Sequence, residues 1–135
     1  KFPETLTILA PQTFYNCNNL TVVVFNGSLQ EIQDEAFYGC SSLGQVKLPE
    51  SLTSIGKYAF YGASAVKTVT IPANVTSIGT MAFRKMGASG KLSVTFAVID
   101  GWTCGGNAVD ASFFADSVAL GTALRGADYA GAWVR

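Results

Sequence analysis

The chain has 135 residues, nine basic against nine acidic side chains and no histidine; 49% of it is hydrophobic and only 13% is charged. This composition belongs to a globular chain, not a disordered one. The cancelled charge excludes a basic footprint for nucleic acid or an anionic membrane surface. The lack of histidine removes the commonest general base and the commonest metal ligand, and no apolar run reaches the roughly 18 residues of a membrane-spanning helix.

In chain order, Lys1-Phe2-Pro3 reads as the end of a strand already inside a repeat, so the natural N-terminus is expected further upstream. The repeat then becomes explicit. Phenylalanines recur every 23 residues at Phe14, Phe37, Phe60 and Phe83. Five residues before each stand Leu9, Ile32, Ile55 and Ile78, and eight before stand Leu6, Leu29, Leu52 and Val75. After the phenylalanines come Leu20, Leu43 and Val66, then Val23, Val46, Val69 and Leu92, then Phe25, Leu48, Ile71 and Val94. Six apolar columns kept in phase mark a repeat architecture, in which stacked units bury a core that one unit cannot bury alone.

The unit is clearest in Leu43–Phe60. Val46 and Leu48 have the period of a strand, with both side chains inward and Gln45 and Lys47 outward. Pro49 and Pro72 end the strand, since proline cannot donate to a continuing ladder. A 23-residue period is too short for a helix pair, so one strand, a turn and a short helical or irregular return are expected per unit. Gly56 and Gly79 fall where the return bends, and Ala36, Ala59 and Ala82 supply a small residue where turns approach.

Leu43-x-x-Val46-x-Leu48 fits the leucine-rich-repeat core, and its continuation through Ile55-Gly56 to Ala59-Phe60-Tyr61-Gly62 resembles the BspA-like class of these repeats over residues 1–96. Two departures stand out: Thr5, Ser28, Ser51 and Asn74 occupy a core position where Asn or Cys is usual, and Lys85 to Lys91 is a Gly-rich detour. The resemblance implies a leucine-rich-repeat solenoid, α/β or mainly β, with parallel strands and about four 23-residue coils. It also implies a secreted or cell-surface protein of host-associated bacteria or parasitic protists that binds protein partners, possible examples being host extracellular matrix or cell-surface proteins, with no cofactor and no metal.

The period is lost over residues 97–135, which are expected to form a non-repeat C-terminal cap. Gly101, Gly105 and Gly106 mark a loop. Asp110 is placed as the N-cap of a helix running to about Leu124, with Phe113, Phe114, Val118, Leu120 and Leu124 as its apolar stripe. A short strand is expected between Tyr129 and Val134, and Trp102, Phe113 or Phe114 is expected to cover the last repeat.

Two outward rows are candidate partner-binding surfaces. The strand row carries Val22, Gln45, Thr68 and Lys91, beside Lys1, Val24, Lys47, Thr70 and Ser93, and is read as the inner curve of the solenoid. The second row follows the phenylalanines: Tyr15, Tyr38, Tyr61 and then Arg84, a composition typical of binding hot spots. The alternative is that tyrosine merely shields the edge of the phenylalanine ladder. Cys17 and Cys40 share a column one unit apart, readable either as a disulfide staple or as two core thiols, the latter favoured because Ala63 and Met86 fill the same column. Cys104 lacks an activating base, Asp100 and Asp110 suit turn and cap roles better than a calcium site, and no nucleophile–base pair is present, so no catalytic role is expected. Asn19, Asn26 and Asn74 each begin a glycosylation sequon. A passive spacer within a larger surface protein is the alternative to partner binding, and the oligomeric state is open.

Overall fold

The computed structural model describes residues 2–87, 92–109, 121–124 and 131–135. It is a stack of strand-and-turn coils in which each phenylalanine column becomes a ladder. Phe14, Phe37, Phe60 and Phe83 lie almost parallel, with successive ring centroids 5.2, 5.1 and 6.0 Å apart. Leu29, Leu52, Val75, Ile32, Ile55, Ile78, Leu43, Val66, Val46 and Val69 are all buried around them. The apolar columns therefore form one continuous core, as stacking alone requires.

The coils are joined at three places, two of which the sequence does not announce. The longest ladder runs through the isoleucine column. Its strands are only two residues each: β1 (Ile8–Leu9), β2 (Glu31–Ile32), β3 (Ser54–Ile55) and β5 (Ser77–Ile78). They pair in parallel with Leu9, Ile32, Ile55 and Ile78 in register. The second junction is the turn around each phenylalanine. There the Phe14, Phe37 and Phe60 amides donate to Ala36, Ala59 and Ala82 one coil on, each at 2.8 Å. Left-handed backbone flanks every one of these turns, at Gln12, Glu35, Tyr58 and Met81 on one side and Asn16, Gly39, Gly62 and Lys85 on the other. A non-glycine residue in that region costs about 1–2 kcal/mol, so the stacking of neighbouring coils, not local preference, dictates the conformation.

The third junction is the expected strand, and it is the least complete. Full pairing occurs only between β4 (Thr68–Ile71) and β6 (Ser93–Phe96), while the first two coils share a single bridge, Val22 to Gln45. No strand pairing joins 45–48 to β4 among the described residues. Of the expected helical or irregular return, the irregular form is found: turns around a second, two-residue strand, with no helix in residues 2–87. The solenoid is mainly β.

Two further expectations change and a third narrows. Gly56 and Gly79 are required by proximity and not by a bend: an added Cβ would stand 2.5 Å from the Asp34 nitrogen and 2.3 Å from the Lys57 nitrogen. In the last repeat unit the strand register is displaced by two residues. Val94 and Phe96, not Leu92 and Val94, pair with Val69 and Ile71, because the detour after Phe83 carries two residues more than its counterparts. Gly105 and Gly106 do mark a loop, but one of only two residues. Both have positive φ (58° and 83°) and form the two-residue turn of a hairpin between β7 (Thr103–Cys104) and β8 (Asn107–Ala108), the geometry that matches strand twist.

At the C-terminal end, β9 (Trp133–Val134) pairs antiparallel with β5 on one side and β7 on the other. Trp102 packs edge-on to Phe96, with centroids 5.2 Å apart, and its indole N–H donates to the Val98 carbonyl at 2.9 Å. Trp133 also stacks on Phe96, at 5.9 Å, and meets Trp102 edge-on at 6.4 Å, so the three rings form one cluster. Residues 121–124 are helical, and Leu124 is buried. Asp110, Phe113, Phe114, Val118, Leu120 and Tyr129 lie outside the described residues.

Candidate partner-binding surfaces

The strand row is placed by simple alternation. Val23, Val46, Val69 and Val94 point inward and are buried, so their neighbours point out. Val22, Val24, Gln45, Lys47, Thr68 and Thr70 are exposed accordingly. Val22 and Val24 are each 56% exposed, the highest values among the large hydrophobic side chains described. The displaced register moves Ser93 from beside Thr70 to beside Thr68, and Thr95, which the sequence columns missed, takes the place opposite Thr70. Lys1 and Lys91 lie outside the described residues. Because pairing is interrupted here, two shallow grooves open between coils. One of ≈ 180 Å³ is bounded by Val22, Val24, Gln45 and Lys47, and one of ≈ 340 Å³ by Gln45, Lys47, Thr68 and Thr70. The row expected on the inner curve is the flank where coils are least tightly joined.

The tyrosine row stacks as its column implies. Tyr15–Tyr38 and Tyr38–Tyr61 lie 4.9 and 4.8 Å apart with interplanar angles of 10° and 2°. Both faces of Tyr38 are therefore covered. Its hydroxyl pKa is raised, first by desolvation and then by the neighbouring Tyr61 and Tyr15 hydroxyls. The continuation differs from expectation: Arg84 turns back to the Met81 sulfur at 3.3 Å, and Lys85 instead places its ammonium 5.5 Å from the Tyr61 centroid. Tyr58 meets Tyr38 and Tyr61 edge-on at 6.5 and 5.7 Å, with the Lys57 ammonium 5.0 Å from its own centroid. No column announces Tyr58, because Gln12, Glu35 and Met81 occupy its position in the other coils.

The family model for the BspA type leucine rich repeat region matches residues 1–98 in six copies. The chain belongs to the BspA-type leucine-rich-repeat family. Among solved structures this BspA-type chain is similar to a leucine-rich repeat protein from Bacteroides ovatus. Identity is 32% and the TM-score 0.59, over 70% of this chain and 26% of that one, so the chain spans about a quarter of that protein's length. No curated protein matches. Leucine-rich repeats generally mediate contacts between proteins, and both outward rows of this BspA-type chain are surfaces available for such contacts.

The remaining chemistry-bearing residues are dispersed. Cys17, Cys40 and Cys104 are free thiols. Cys17 is exposed instead of buried, because it lies in the first described coil. Cys40 is buried, with its Sγ 3.0 Å from the Phe14 carbonyl oxygen, and desolvation pushes its pKa up to about 11. Asp100 is exposed, and among the described residues no group of three or more His, Cys, Asp or Glu could hold a metal. Of the sequon asparagines, Asn26 is buried and donates its amide to the Pro3 and Leu6 carbonyls, whereas Asn19 and Asn74 are exposed. No helix among the described residues is long and apolar enough to cross a membrane.

Proposed function

We propose that this chain is a non-catalytic protein-binding module of a secreted or cell-surface protein, contacting host matrix or cell-surface partners through the strand row. The observation that carries the reading is the contrast between the two sides of one strand. Inward positions repeat the same kind of residue in every coil, whereas outward ones change: Val22, Gln45 and Thr68 in one column, Val24, Lys47 and Thr70 in the next. Stacking constrains the first set and leaves the second free to specify a partner. Exposed valines beside lysine and small hydroxyls supply both apolar area and hydrogen-bonding groups, as interface cores and rims do. A scaffold ordered before binding lowers the entropy lost on association. In this reading about four coils form the display unit and the C-terminal segment is its cap. Antiparallel β9 ends the parallel ladder, and Trp102 and Trp133 cover Phe96.

The test is surface plasmon resonance of the purified chain over immobilised host matrix proteins, comparing wild type with Lys47→Glu, Gln45→Lys, Thr68→Lys and Thr70→Glu. Charges changed at the centre of the contact are expected to weaken binding about tenfold or more. Binding that survives all four changes favours the second reading, a passive spacer. The continuous parallel ladder through β1, β2, β3 and β5 supports that alternative by tying each coil to the next along one edge.

A further inference from the structure

On a different flank from the strand row, the basic end of the tyrosine row forms a corner whose chemistry selects a ligand. Tyr58 and Tyr61 meet edge to face, with Lys57 on one ring and Lys85 on the other. Neither ammonium makes an ion pair among the described residues. The nearby Asp34 carboxylate accepts from the Lys57 backbone amide at 2.7 Å, and Glu35 accepts from Gln12 at 2.6 Å. Ammonium groups resting on ring faces are held in place yet keep their charge open to an incoming anion. At this corner the ring faces are occupied, Tyr61 by Tyr38 and Lys85 and Tyr58 by Lys57, so a sugar or an aromatic group has less face to stack on there than at Tyr15, which is 43% exposed. What remains outward is ring edge, phenol hydroxyl and ammonium, all of which suit carboxylate oxygens.

Acidic groups also border the row. Glu35 acts on Tyr38 and the Asp34 carboxylate accepts from the Lys57 backbone amide, whereas the ammonium groups rest on Tyr58 (Lys57) and Tyr61 (Lys85). A long polyanion following the row would run from the lysines onto the two carboxylates. A short acidic segment does not, since only its carboxylates need to reach the lysine end. We propose that the Tyr58–Tyr61 corner, with Lys57 and Lys85, is a docking site for a short acidic segment of a partner protein. The site is independent of the strand-row reading and stands or falls separately from it.

The test is a nuclear magnetic resonance titration of the full chain with a synthetic pentapeptide, acetyl-Glu-Glu-Ala-Glu-Glu-amide, with a heparin oligosaccharide as the polyanion comparison. Peptide-induced shifts are expected to concentrate on Tyr58, Tyr61, Lys57 and Lys85 and to shrink with added salt. The double variant Lys57→Gln/Lys85→Gln is expected to weaken binding about tenfold or more, and Tyr61→Phe to weaken it less while leaving the fold intact. Lys67→Gln, at an exposed position outside both candidate rows, is expected to leave peptide binding unchanged. Shifts spread equally over Lys47 and Lys67, no shifts at all, or shifts at the corner with heparin but not with the peptide would each overturn the proposal.

Discussion

Replacing Phe60 by alanine tests whether the phenylalanine ladder holds the coils together. Phe60 is fully buried and stacked on both faces, 5.1 Å from Phe37 and 6.0 Å from Phe83. Removing a buried phenylalanine ring costs about 3–5 kcal/mol, the sum of lost transfer energy and the cavity left behind. Collapse of that cavity is resisted here, because the coils above and below are pinned by the Phe37 amide to Ala59 and the Phe60 amide to Ala82. The cost should therefore sit in the upper part of the range. For a chain of this size, 1 kcal/mol corresponds to about 4 °C in Tm, so a fall of about 16–20 °C is expected. Phe14 is the internal control. It is only half-buried, stacks on Phe37 alone and meets Phe2 edge-on, so Phe14→Ala should cost about half as much or less. Urea unfolding followed by tryptophan emission reads both values, since Trp102 and Trp133 are buried in the folded state. A Phe60→Ala variant within about 1 kcal/mol of wild type, or no less stable than Phe14→Ala, would refute the ladder as the main source of cohesion.

Two further outcomes follow from close approach and burial. Gly79→Ala must displace the Lys57 backbone, which an added Cβ would meet at 2.3 Å, and is expected to cost about 1–3 kcal/mol, whereas Gly27→Ala, with nothing within 4 Å, should be nearly neutral in the same urea experiment. For the thiols, the exposed Cys17 should react with iodoacetamide at pH 8 well before Cys40, whose pKa is pushed up to about 11 by burial; peptide mapping of the modified protein reads the order. The sign for stability is set by the same burial. The folded state holds the Cys40 proton more tightly than the unfolded chain does, so its contribution is complete below about pH 9 and declines as pH rises toward 11. A Cys40→Ala variant should lose that part of the alkaline decline.

The columns of Leu, Ile, Val and Phe are strong evidence because each is a physical requirement repeated coil after coil. An inward position must be apolar wherever it recurs, so phase survives even when the individual residue changes. The outward strand row follows from the same alternation, and Val22, Gln45, Lys47, Thr68 and Thr70 are all found exposed. Periodicity fails where an element is too short to show it. A two-residue strand such as Ser54–Ile55 contains one inward residue and one outward residue, which is no period at all. The tyrosine corner escapes detection for a related reason. Tyr58, Lys57 and Lys85 come from non-equivalent columns and meet only because the turns stack, so no spacing in the chain predicts the encounter.

The amino-acid sequence by itself determines that this protein is a stacked repeat, which side chains form its core, and which strand positions face outward. These are consequences of burying an apolar face at a fixed 23-residue period. Only the tertiary structure decides how the coils are joined. The ladder through β1, β2, β3 and β5, the left-handed residues at Gln12, Glu35, Tyr58 and Met81, the displaced register of β6 and the antiparallel closure by β9 all depend on hydrogen bonds between distant residues. Backbone amides and carbonyls are the same in every residue except proline, so which of them pair across coils leaves almost no trace in side-chain identity.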